Sequence, residues 1–88
     1  MVEIKAIVFS ISGIHARPSR DIALKAKEYK CSIFINKEGT SEDINAKEIL
    51  SLLSHGFEQG DRLYIKANGP DEQEAAQVIA HLIETLQY

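Results

Sequence analysis

"DRLYIKANGPDEQEAAQVIAHLIETL" occupies residues 61–86 and changes its period halfway along. Leu63, Ile65 and Ala67 alternate with Arg62, Tyr64 and Lys66, the period-2 pattern of a strand with one face buried. "NGP" at 68–70 breaks that pattern as a turn, and Asp71 is placed to cap a helix. Ala75, Val78, Ile79, Leu82, Ile83 and Leu86 then recur at helical spacing as one apolar stripe. A strand and a helix that are each apolar on one side bury those sides against each other. The stretch therefore specifies a sheet covered by helix on one face.

Upstream, the same two periods repeat. Val2, Ile4, Ala6 and Val8 alternate with Glu3 and Lys5, so residues 2–9 are read as a half-buried strand, broken by Ser10, Ser12 and Gly13. Ile22, Ala23, Ala26 and Tyr29 place a helix over residues 16–29. "CSIFIN" (31–36) is a second strand, "KEGT" (37–40) a turn, and Ile44 lies in a short strand-like piece. "AKEILSLLSHG" (46–56) is a second helix stopped by Gly56. The order is β-α-β-β-α-β-α. Strands this short with tight turns imply an α+β open sandwich, an antiparallel sheet with helices on one face. The ferredoxin-like arrangement shares most of that order and is the structural alternative.

Length and composition bound the function. With 88 residues, 44% hydrophobic and 26% charged, the chain holds one modest core. A net charge of −3 argues against nucleic acid or anionic membrane as a partner. There is no tryptophan, and the three Tyr and three Phe are scattered, so no base-stacking platform is formed. Cys31 is the sole cysteine. It can form no internal disulfide, fits a reducing compartment, and sits beside β-formers as a buried structural thiol. Three histidines spread over the chain offer no metal-ligand spacing. The segment "MVEIKAIVFSIS" is too short and too charged for a signal peptide or a membrane span, which places the protein in the cytoplasm.

"GIHARPSRD" (13–21) carries the chemistry. The first turn of a helix has N–H groups without acceptors and a partial positive charge, which lowers the pKa of an imidazole placed there. A neutral His15 ring has a free lone pair that can attack phosphorus, and the phosphoryl group would then rest on the helix N–H groups. Arg17 can fork onto phosphoryl oxygens, Pro18 stiffens the junction at no cost in hydrogen bonds, and Gly13 permits a backbone strained for other residues. The competing reading is a surface or capping histidine followed by an ordinary Arg-Pro pair. Pro18 also leaves the helix start open anywhere between residues 15 and 18.

The second helix raises a further question. Ile49, Leu52, Leu53 and Gly56 give a core-facing stripe, while Leu50, about 100° from Ile49 around the axis, starts a second row with Leu53 and Phe57. Two readings stand. The row is a docking surface left in water, or a slightly rotated helix buries all of it.

"GIHARPS" resembles the active-site motif of the HPr family, the histidine-containing phosphocarriers of the bacterial phosphoenolpyruvate–sugar phosphotransferase system. "INAKEILSLLSHG" and "GPDEQEAA" resemble two further segments of that family, and the length and element order match from end to end. The resemblance implies a single HPr domain over residues 1–88. Its fold is an open-faced β-sandwich with four antiparallel strands and three helices on one face. It implies that His15 takes a phosphoryl group on Nδ1 from phosphorylated enzyme I and passes it to a histidine of a sugar-specific IIA protein. In this carriage Arg17 neutralises charge, with Ala16, Arg17 and Pro18 forming the phosphate-binding turn. Arg20, Lys47, Ile49, Leu50, Leu53 and Gly56 map to the family's partner-docking surface. The implied protein is a monomeric, stoichiometric carrier without cofactor or metal, and it neither binds nucleic acid nor enters the membrane.

Three positions depart from the family pattern. Glu48 stands where many Gram-positive members carry a regulatory serine. It either stabilises the helix start or partly imitates a phosphoserine. Residues 37–44 are about two residues longer than the usual hairpin, and Arg20 replaces a small or apolar residue. Beside sugar transport, the sequence is open to a regulatory phosphorelay that moves no sugar. It is open also to an unphosphorylated docking module. His55 and His81 lie outside the motif: His81 falls off the last apolar stripe and is solvated, and His55 is a bystander.

Overall fold

A computed structural model describes residues 1–9, 16–55 and 57–85, with Ala16, Arg17 and His55 described in their main chain alone. The elements are β1 (Val2–Ile7), α1 (Ala16–Ala26), β2 (Ser32–Lys37), β3 (Asp43–Asn45), α2 (Ile49–His55), β4 (Arg62–Asn68) and α3 (Glu72–Thr85). The strands form one antiparallel sheet in the order β1-β4-β2-β3. β1 and β2 both run antiparallel to β4 and therefore parallel to each other, so the chain between them needs the crossover that α1 supplies. The last strand inserts between the first two. This order sets the fold apart from the ferredoxin-like arrangement and leaves β1 on an edge.

Period 2 decides which side of the sheet is buried. The register aligns Ile4, Ile65, Ile35 and Ile44 in one row across all four strands. Leu63, Ala67 and Ile33 flank that row, and all three helices lie on this side, with the core between. The opposite face carries Glu3, Lys66, Phe34 and Asn45 in one row and Lys5, Tyr64, Asn36 and Asp43 in the next. It is stitched by polar contacts, among them Lys66 to Asp43 at 3.2 Å and Tyr64 Oη donating to Glu38 at 3.3 Å.

Three boundaries differ from the sequence expectation, each for a physical reason. α1 ends at Ala26 because its last turn tightens: Glu28 N–H bonds Lys25 at 3.1 Å and Tyr29 N–H bonds Ala26 at 3.2 Å, each to the carbonyl three residues back. α2 starts at Ile49, three residues late, because Ala46 N–H is spent on the Ile33 carbonyl at 3.0 Å, continuing the β2–β3 pairing. Phe57 is beyond the end of α2 and fully buried, so it is no part of an exposed helical row.

Asp71 does less capping than its position implies. Its carboxylate accepts the N–H groups of Lys30 and Cys31, each at 2.9 Å, some 40 residues away. The Lys30 N–H is the largest cause that holds the Asp71 pKa below the usual carboxylate value. The α3 start is closed instead by Glu72, whose carboxylate accepts Gly69 N–H at 3.1 Å and the chain's terminal ammonium at 2.8 Å. Gly69 sits at φ +147°, and a Cβ there would lie 2.7 Å from both Cα and Cβ of Cys31. Cys31 itself is buried, and burial pushes its thiol up to about 11.

Candidate functional site

His15 and Gly13 lie outside the described residues, as do Gly56 and the side chain of Arg17. What is described is the turn that follows His15. α1 begins at Ala16, so within the range left open by Pro18 the helix starts immediately after the motif histidine. Ala16, Arg17 and Pro18 are its first three residues. Helical geometry leaves the N–H groups of Ala16 and Arg17 without intrahelical acceptors, and Pro18 has none to lose. Two donors without intrahelical acceptors at the positive end of an 11-residue helix are the chemistry that an anion on residue 15 requires.

The inward face of α1 is Ser19, Ile22, Ala23 and Ala26, all buried. The opposite face presents Arg20, Leu24 and Lys27, spaced four and three residues apart and all exposed. Arg20 contacts Asp21 at 3.9 Å, and its side chain is 60% exposed. α2 packs beside α1 and starts at the end of α1 remote from Ala16. There Lys47 Nζ donates to the Tyr29 carbonyl at 2.8 Å. Lys27, Lys47, Glu48, Ile49 and Leu50 line an open hollow of about 360 Å³.

The two leucines of the second row take the exposed alternative. Leu50 is 75% exposed and Leu53, assigned to both rows by spacing, is 39% exposed. Leu52 is fully buried, and Ile49 is half-buried against the core. Leu24 at 57% and Phe9 at 56% add to the exposed apolar surface. Sequence reading passed over Leu24, although its place off the 22/23/26 stripe was the signal available. Lys27 was missed too, since a lysine on a polar face carries no mark of its neighbours.

Glu48 is built into the start of α2. Its carbonyl accepts the N–H groups of Ser51 at 3.1 Å and Leu52 at 3.3 Å. Its carboxylate accepts the Asn45 amide and the Ser51 hydroxyl, each at 3.3 Å. Asn45 supports the same turn by accepting Lys47 N–H at 3.0 Å. His81 is exposed on α3. Among the described residues no helix is long and apolar enough to cross a membrane.

Residues 2–85 match the family model described as the PTS HPr component phosphorylation site. The chain is 38% identical over 85 residues to the phosphocarrier protein HPr of Borreliella burgdorferi, covering 97% of this chain and 96% of that protein. It is 34% identical over 84 residues to the HPr-like protein Crh of Halalkalibacterium halodurans, covering 96% and 98%. The crystal structure of HPr-C-His from Thermoanaerobacter tengcongensis superposes with a TM-score of 0.87 at 32% identity, covering 97% of this chain and 93% of that one.

Proposed function

The chain belongs to the HPr family of phosphocarriers, and from that premise we propose that His15 is its phosphoryl carrier site. Nδ1 of a neutral His15 forms a bond to phosphorus as the bond between phosphorus and the donor nitrogen of phosphorylated enzyme I breaks. The reverse exchange delivers the group to a histidine of a IIA protein, so the carrier is regenerated rather than turning substrate over. The observation that carries this reading is the helix beginning at Ala16, whose first-turn N–H groups have no intrahelical acceptors and can donate to the phosphoryl oxygens. Arg17 supplies the fixed positive charge. Such a transfer needs positioning and charge stabilisation more than added chemistry, which a small single domain can supply.

Partners dock on the surface formed by Leu50 and Leu53, with Arg20 and Lys47 placing positive charge around it for acidic partners. Glu48 supports the start of α2: its carbonyl accepts helix N–H groups, and its carboxylate, held by Asn45 and Ser51, lies at the positive end of the helix, so it stabilises the helix start without any modification. A Glu48→Ser variant that exchanges phosphate at the wild-type rate would speak for this role over imitation of a phosphoserine.

The relationship to HPr-like protein Crh supports a second reading, a regulatory protein that moves no sugar. Incubation with enzyme I and phosphoenolpyruvate, followed by intact mass, tests the first. One acid-labile phosphoryl group, absent in His15→Ala, is expected. Its onward transfer to IIA proteins separates sugar transport from regulation.

A further inference from the structure

The two edges of the sheet are not equally closed. β3 is three residues long and leads directly into α2, whereas β1 is six residues long with no strand on its outer side. The direction of the β1 main chain can be read from its end. Val8 donates its N–H to the Asp61 carbonyl at 3.0 Å and accepts that of Gly60 at 2.7 Å, both on the β4 side. Ile7 faces away, and its N–H donates to the Glu84 carboxylate at 3.1 Å. Alternation therefore points the N–H and C=O groups of Glu3 and Lys5 out of the sheet, and among the described residues they have no partner. Both side chains are exposed, and neither forms an ion pair among the described residues. Ile4 between them is only half-buried, although Ile65, Ile35 and Ile44 in the same row are buried.

We propose that β1 is a self-pairing edge, on which a second copy of this chain lays its own β1 antiparallel about a twofold axis at Ile4. In this register Glu3 lies opposite the partner's Lys5, and Lys5 opposite the partner's Glu3. Each of these pairs exchanges two main-chain hydrogen bonds, and the two Ile4 side chains meet on the helix side of the joined sheet. Charge selects the register: sliding one strand by two residues sets Glu3 against Glu3 or Lys5 against Lys5. Lysine on an edge ordinarily repels a like strand, and Glu3 two residues away turns that repulsion into attraction. Glu84 already holds the Ile7 N–H, which confines the pairing to the stretch around Ile4. So short a seam falls well below the area of a stable dimer, and the association is weak, with a Kd of about 0.1–1 mM. α2 packs on β3 at the far edge, so pairing leaves Leu50 and Leu53 uncovered and does not depend on His15.

Sedimentation equilibrium of the full chain from micromolar to millimolar concentration tests the pairing. Glu3→Lys and Lys5→Glu each place like charges opposite one another in both pairs, and each is expected to weaken association about 10-fold or more while unfolding in urea as wild type does. Mixed one to one, the two variants are expected to associate again, because every lysine then meets a glutamate. Hydrogen exchange at the Glu3 and Lys5 amides is expected to slow as concentration rises, with the Ala6 amide unaffected. A chain that stays monomeric at millimolar concentration overturns the proposal and leaves this edge to a strand of another protein. A dimer that both variants keep, or that their mixture fails to restore, overturns it too. So does a dimer that survives dilution and exchanges subunits only as fast as the chain unfolds, since that marks strands swapped between copies.

Discussion

Leu50 and Leu52 stand two residues apart on the seven-residue α2, about 200° apart around its axis, and the fold sends them opposite ways. Leu52 is fully buried, and its replacement by alanine removes packed methyl groups and leaves a cavity, at a cost of about 2–5 kcal/mol. Leu50 keeps 75% of its surface in water. Complete burial of a leucine is worth about 1.5–3 kcal/mol, so the part still to be buried by a docking partner is worth about 1–2 kcal/mol. That corresponds to roughly 5- to 30-fold in affinity. The assay pairs urea unfolding with the rate of phosphoryl transfer from phosphorylated enzyme I at varied carrier concentration. Leu50→Ala is expected to raise KM by roughly 5- to 30-fold while staying within about 0.5 kcal/mol of wild-type stability. Leu52→Ala is expected to lose stability and keep the KM of its folded fraction. The reasoning is refuted if Leu50→Ala is as destabilising as Leu52→Ala, or if its KM does not move.

Gly69→Ala forces a Cβ to within 2.7 Å of Cys31 at a φ of +147°, so backbone strain and overpacking together are expected to cost about 2–6 kcal/mol. Urea unfolding within about 0.5 kcal/mol of wild type would show that the contact is not made. Asp71 has a folded pKa lowered chiefly by the Lys30 N–H, so its carboxylate stabilises the fold above the unfolded value near 3.9 and loses that effect as pH falls through the folded value. Wild type is expected to outlast Asp71→Asn in urea at neutral pH. The gap closes below about pH 4, and a gap constant with pH would count against the clamp. Burial holds the Cys31 thiol near 11, so a thiol reagent near neutral pH is expected to label it only when the chain opens, roughly a thousandfold slower than in urea. Equal rates in buffer and in urea would contradict that burial.

Most of the fold was legible because it is written in local period. The alternation at 62–67 and the stripe from Ala75 to Ile83 each report a face, and the structure buries those faces as read. The errors fell where a distant partner used a local group. Ala46 was read as the start of the second helix, yet its N–H belongs to Ile33. Asp71 was read as a cap for the residues after it, yet its carboxylate serves Lys30 and Cys31. Within the candidate site, the motif residues were visible as residue types. The exposure of Leu50 stayed open between two readings, because it depends on what the rest of the chain leaves uncovered.

By itself, the sequence determined the order of the elements, the sidedness of β1, β4, α1 and α3, and the join between the histidine motif and a helix. All of these follow from backbone preferences and from side chains a few residues apart. Only the tertiary structure decided that β4 lies between β1 and β2. It alone placed Phe57 in the core while Leu50, seven residues earlier, stays in water, and it alone left the Ser19 hydroxyl buried beneath the first turn of α1. Burial is a property of the assembled layers: whether an apolar or polar side chain is covered depends on elements that reach it from tens of residues away, and no local pattern carries that information.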